Sequence, residues 1–112
     1  VPGVEMAPFP GHTPGHACIR ITSREQVALI VGDALHHPVQ IMHPEWGNPI
    51  ETKADQAHQS RIGILKEVSD GRTLVLGAHW AGVTGLLIGT DLDGGRYCQI
   101  PEDRWFDPSD LQ

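Results

Sequence analysis

The run VALIVGD at residues 27–33 leaves little choice of architecture. Five apolar residues in succession suit a strand covered on both faces, not the alternating strand of an exposed hairpin. Gly32-Asp33 then ends the strand at a point where a loop must begin. A chain with such a strand has to place layers around a sheet.

The flanking segments supply those layers. Ala17–Thr22 alternates, with Ile19 and Ile21 on one face and Cys18, Arg20 and Thr22 on the other, which predicts a half-buried strand. Residues 23–26 form a polar link to the apolar run. Residues 34–49 hold three prolines, three histidines and Trp46 without a clean period, and read as a long irregular loop. Thr52–Ser69 is the one helix. Thr52 or Asp55 is its expected N-cap, with Glu51 and Asp55 near the positive end of its dipole. Ala57, Arg61 or Ile62, Leu65 and Val68 form its apolar stripe, and Gly71 stops it. Thr73–Leu76 is a further strand, closed by GAHW. Leu86–Asp91 and Arg96–Ile100 flank DLDGG and predict a hairpin.

The opening VPGVEMAPFP reads as turns without an element, and residues 101–112 as an acidic, irregular tail in which Trp105 and Phe106 pack onto the domain. The order strand, strand, helix, strand, hairpin predicts an α/β fold, one domain over 1–112, with one main helix covering one face of a small mixed sheet.

Composition removes several function classes. The chain has 112 residues and a formal charge of −6, with no cluster of Lys or Arg, which argues against a nucleic-acid partner. No apolar run approaches the ~20 residues that span a bilayer. The N-terminus lacks the basic and apolar regions of a signal peptide, so a cytoplasmic location is the default expectation. Cys18 and Cys98 are too few for a disulfide framework and too far apart for a metal knuckle. Both lie in strand-like stretches and are expected to be buried free thiols.

The chemistry-bearing residues gather at strand ends. GHTPGH, residues 11–16, places two histidines four apart. Pro14 and Gly15 between them exclude a helix and predict a turn. His16 thus stands at the entry to the first strand, Asp33 just after the second and His79 just after the third. Ends of strands are where α/β folds build sites, and His with Asp is the donor set of zinc or a similar divalent ion. Each residue alone has a plainer explanation, as a turn aspartate or a packed histidine. Three in the same position are harder to dismiss.

GHTPGH, LIVGDALHHP and LVLGAHW, in this order, resemble the C-terminal half of the metallo-β-lactamase-fold hydrolases. That superfamily includes lactonases, hydroxyacylglutathione hydrolases, arylsulfatases and methyl-parathion-hydrolase-like enzymes. The resemblance implies one αβ half of an αββα sandwich. It makes His16 the third histidine of a first metal site, Asp33 the catalytic carboxylate bridging two metals, and His79 the last histidine of a second site. His12 matches a position that is not usually a ligand. His36, His37 and His43 lie outside the family's ligand pattern and are expected to line a loop or to touch substrate, His36 and His37 foremost. The implied chemistry is hydroxide attack on an ester, lactone, amide or phosphoester.

The family's His-x-His-x-Asp-His motif, which supplies four further ligands, does not occur in this sequence. The expectation is therefore a truncated half-domain that binds zinc or another divalent metal weakly or not at all, and is inactive as an isolated chain. A half of the sandwich leaves one sheet face uncovered. A homodimer or a complementing N-terminal-half chain is the expected remedy. The alternative is a non-catalytic binding or assembly module that retains relic site residues.

Overall fold

A computed structural model of the protein describes residues 1–101, so the expected tail, with Trp105 and Phe106, lies outside the described residues. Six strands form one mixed sheet in chain order. They are β1 (Val4–Pro8), β2 (Ala17–Ser23), β3 (Gln26–Gly32), β4 (Leu74–Gly77), β5 (Gly85–Thr90) and β6 (Arg96–Gln99). All neighbours are antiparallel except β3 and β4, which run parallel. A parallel step needs a long crossover. Residues 33–73 provide it and hold α1 (Val39–Met42) and α2 (Ala54–Val68).

The fold is thus α/β, with one main helix on one face of a mixed sheet. Cys18, Leu29, Val31, Val75, Leu86 and Ile88 point from the sheet into a core completed by Ile64, Leu65 and Val68 of α2 and by Leu35, Ile41 and Trp80. Within α2 the stripe runs through Arg61, not Ile62: Arg61 is buried and Ile62 is exposed. The guanidinium can be buried because Glu51, itself buried, pairs with it and the Pro44 carbonyl accepts its Nε–H.

Several expectations need correction. The opening segment is not turn alone: Val4–Pro8 is a strand on β2. Its prolines hid it, yet Pro8 stands opposite Ala17 at the end of an edge strand, where the missing N–H is tolerated. The 34–49 loop contains the single turn of α1. Neither Thr52 nor Asp55 caps α2; Lys53 stands at the N-cap and no side chain bonds there. Cys98 is exposed, because β6 is an edge strand, whereas Cys18 is buried and its thiol is pushed up to about 12 by that burial.

The largest difference concerns the apolar strand. Leu29 and Val31 face the core, but Ala28 and Ile30 face a side that no described residue covers. The pairing puts Val4, Met6, Ile19, Ile21, Ile30, Leu74, Leu76 and Leu87 on that same side. Met6 is 76% exposed, Ile19 39% and Ile21 37%, so this face is an apolar plain. No described helix is long and apolar enough to cross a membrane.

The turn after α2 gives a pH test. Asp70 Oδ1 accepts the N–H groups of Arg72 and Thr73 at 2.8 Å each, and Oδ2 accepts the Thr73 hydroxyl at 2.8 Å. Burial works to raise its pKa, but these donors outweigh it and hold the carboxyl below its usual value. The stability it contributes is complete above the unfolded pKa of about 3.9 and is lost as pH falls through the depressed folded value. Asp70→Asn should flatten the acid limb of a melting-temperature profile below about pH 4. An unchanged limb would contradict the assignment.

Candidate metal centre

The histidine-bearing loop is held from beneath. Thr13 O accepts the His16 N–H at 3.3 Å, closing a turn with Pro14 and Gly15 at its centre. The N–H groups of Thr52 and Lys53 donate to His12 O and Gly11 O at 3.0 and 2.9 Å, and so the loop serves in place of a side-chain cap for α2. Gly11 permits this approach. Its φ is +134°, and a Cβ there would lie 2.1 Å from Ala57 N.

His16 is fixed at both ring nitrogens. The Asp33 N–H donates to Nε2 at 3.1 Å, so the ring proton belongs on Nδ1, which donates to Phe9 O at 3.1 Å. Gly32, at φ +55°, makes room: a Cβ there would meet His16 Nε2 at 3.0 Å. The β3–β4 pairing slips by one residue between Ile30 and Gly32. Such an irregularity bends the strand end and re-aims the adjoining Asp33.

Asp33 is the hub. His79 Nε2 lies 2.6 Å from Oδ1, and His12 Nε2 lies 3.4 Å from Oδ2. His36 Nδ1 stands 4.0 Å from Oδ1, too far for a hydrogen bond. The His36 and His79 rings stack with centroids 4.4 Å apart. His79 is delivered by its neighbour: the buried Trp80 donates from Nε1 to Leu35 O at 2.9 Å, tying the loop after β4 to the loop after β3. His37 makes none of these contacts; its Nδ1 accepts the Val39 N–H at 3.0 Å.

The residues suit a divalent cation. One donor atom from each of Asp33, His36 and His79 lies within 4.8 Å of the others. His36 Nδ1 and His12 Nδ1 are buried and have no hydrogen-bond partner among the described residues. For His36 the unpartnered nitrogen is the one beside the Asp33 carboxylate, as in a ligand set before it closes on an ion, whereas His12 turns Nε2 to Asp33. Of the residues singled out in the sequence, Asp33 and His79 meet directly. His16 reaches Asp33 through its backbone, and His36, expected against substrate, stands in the donor group itself. The i,i+3 spacing of Asp33 and His36 after a strand end was the available signal. For the approach of His12 to Asp33 the sequence offered none.

Solved structures share this fold. The chain matches AidC, a dizinc quorum-quenching lactonase in complex with a product, with a TM-score of 0.76 and 28% identity over 89% of this chain and 34% of that one. It matches AbOPH, a hydrolase in the beta lactamase superfamily, with a TM-score of 0.80 and 16% identity over 91% of this chain and 35% of that one. A probable metal-dependent hydrolase from Staphylococcus aureus gives 0.76 and 20% identity, over 91% and 36%. The chain therefore spans about a third of the length of these proteins. No family model and no curated protein matches it.

The support beneath the loop can be tested. Gly11→Ala should cost about 1–3 kcal/mol, read as a lower melting temperature, because the methyl group meets the α2 backbone. A variant as stable as the parent would show that the loop does not rest on α2.

Proposed function

We propose, for a chain with the fold of one αβ half of a metallo-β-lactamase-type hydrolase, that its strand-end residues form part of a metal-dependent hydrolytic centre. The substrate class is an ester, a lactone or a phosphoester. The observation that carries this reading is the convergence of Asp33, His36 and His79 at the ends of two neighbouring parallel strands.

Asp33, His36 and His79 would hold the ion. A catalytic zinc site takes three protein donors and keeps a position open. A bound divalent cation supplies Lewis-acid polarisation of the scissile carbonyl or phosphoryl group and lowers the pKa of water. The protein's own groups do the rest. Asp33 fixes the orientation of His79 through Oδ1, and His16 fixes the Asp33 backbone. His79 and Asp33 remain partly exposed, open to a substrate. His16 stands ready as a further donor once Nε2 gives up the Asp33 N–H. A second ion would need donors beyond those gathered here, which a complementing chain would bring.

Zinc uptake by the 112-residue chain tests this. Equilibrium dialysis should show at most one zinc per chain, with affinity reduced about 10–100-fold in Asp33→Ala or His79→Ala. The isolated chain should show no turnover of lactones, thioesters or phosphotriesters, with or without zinc. Uptake that is the same in Asp33→Ala would sink the reading. Turnover that disappears in that variant would show that the chain completes a site by itself.

The uncovered sheet face supports a second proposal, that isolated chains pair through it. Its apolar row runs unbroken across β1–β5. A two-fold pairing buries the same face on both copies, and a stable interface needs roughly 1,200–2,000 Å² in total. Sedimentation should show a dimer at micromolar concentration, and Met6→Lys with Ile19→Lys should return it to monomer. A monomeric parent chain would contradict the pairing.

A further inference from the structure

His36 belongs to two features at once. It is one of the three donors, and it also lines a groove of about 280 Å³ between α1 and the loop at residues 46–49. Val39, Trp46 and Pro49 give the groove apolar walls, and Gln40 lies between them. Among the described residues, no Asp, Glu, Lys or Arg lines it.

The groove is built, not a gap between loose segments. The Gln40 side chain is buried, with Oε1 accepting the N–H groups of His36 and His37 at 2.7 and 3.2 Å. Its Nε2 donates to Trp46 O at 2.8 Å, so one amide ties both walls together. Behind the outer wall, Arg61 Nε donates to Pro44 O at 2.7 Å and its guanidinium pairs with Glu51. The segment from Pro44 to Glu51 is thus clamped to α2 at both ends. Trp46 is 53% exposed and is held by stacking on His43, with ring centroids 4.1 Å apart.

We infer that this groove seats the neutral apolar arm, alkyl or aryl, of a substrate whose scissile group lies over Asp33, His36 and His79. The inference rests on the hydrolytic reading of that centre and adds the substrate's character. Size and chemistry fix the occupant. The volume is just below the ~300–1,000 Å³ of a site for a whole small molecule, so it holds one arm. A charged arm would lose its hydration and find no counter-ion among the described residues of the walls. The fixed walls mean that little ordering is needed on binding.

The probe is phenylacetamide, neutral and aryl, titrated into the ¹⁵N-labelled chain and followed by NMR. Saturable shifts are expected at the Trp46 indole N–H and the Gln40 side-chain amide, with a dissociation constant of about 1–10 mM, as a small fragment permits. Phenylacetate and phenethylammonium should bind several-fold more weakly. Val39→Asp should weaken phenylacetamide at least tenfold, and Trp46→Ala, the second variant, should do the same. Asp33→Asn separates the two claims, since it should lose zinc and keep the probe within about twofold. The inference is overturned by shifts that do not saturate, by shifts away from the groove, by equal binding of the charged probes, or by tight binding to both groove variants. Loss of the probe in Asp33→Asn would also overturn it.

Discussion

The parallel pairing of β3 with β4 is the constraint on which the candidate centre depends. Gly32 and Gly77 are partners at the ends of the two strands, and Asp33 and His79 come within two residues of them. Parallel strands cannot be joined by a tight turn. The chain must leave the sheet after Asp33, cross it in α2 and return before His79. The burial of Ile64, Leu65 and Val68 under that crossing holds the sheet together and also brings an imidazole to within 2.6 Å of a carboxylate. Packing and site geometry here are one problem.

The remaining parts are braces on that pairing. The loop at residues 11–16 rests on the first turn of α2 and sends His16 to the Asp33 backbone. Trp80 reaches across to Leu35 and fixes the far loop. Arg61 clamps the segment that walls the groove. Trp80 and Arg61 are buried and His16 is half-buried, and each has its partner close by, as an interior of low dielectric requires. Exposed polar pairs such as His43 with Glu45 lie outside this network and contribute little.

Much of this was legible in the sequence. The strands at residues 17–22, 27–31 and 73–76, the helix and the hairpin come from apolar period and from glycine and proline punctuation, which are local signals. The placement of His16, Asp33 and His79 beside strand ends was legible because glycine and proline mark those ends. The parts that escaped depend on distant partners. β1 is a strand only because β2 lies beside it. Arg61 is buried only because Glu51 arrives from a loop ten residues earlier. The apolar pentapeptide spoke truly about one face, where Leu29 and Val31 lie in the core, while the other face awaits a layer that no described residue supplies. Whether Cys98 would be buried also hung on its strand lying at an edge, which its own sequence cannot tell.

The central claim is that Asp33 and the imidazoles around it are a donor set for a divalent cation, and not a hydrogen-bonded turn. X-ray absorption at the zinc edge of the zinc-loaded chain addresses it directly. A shell of nitrogen and oxygen only is expected, with the outer scattering that imidazole rings produce, and its loss in Asp33→Ala. A shell containing sulfur from Cys18 or Cys98, or one without imidazole scattering, would contradict it.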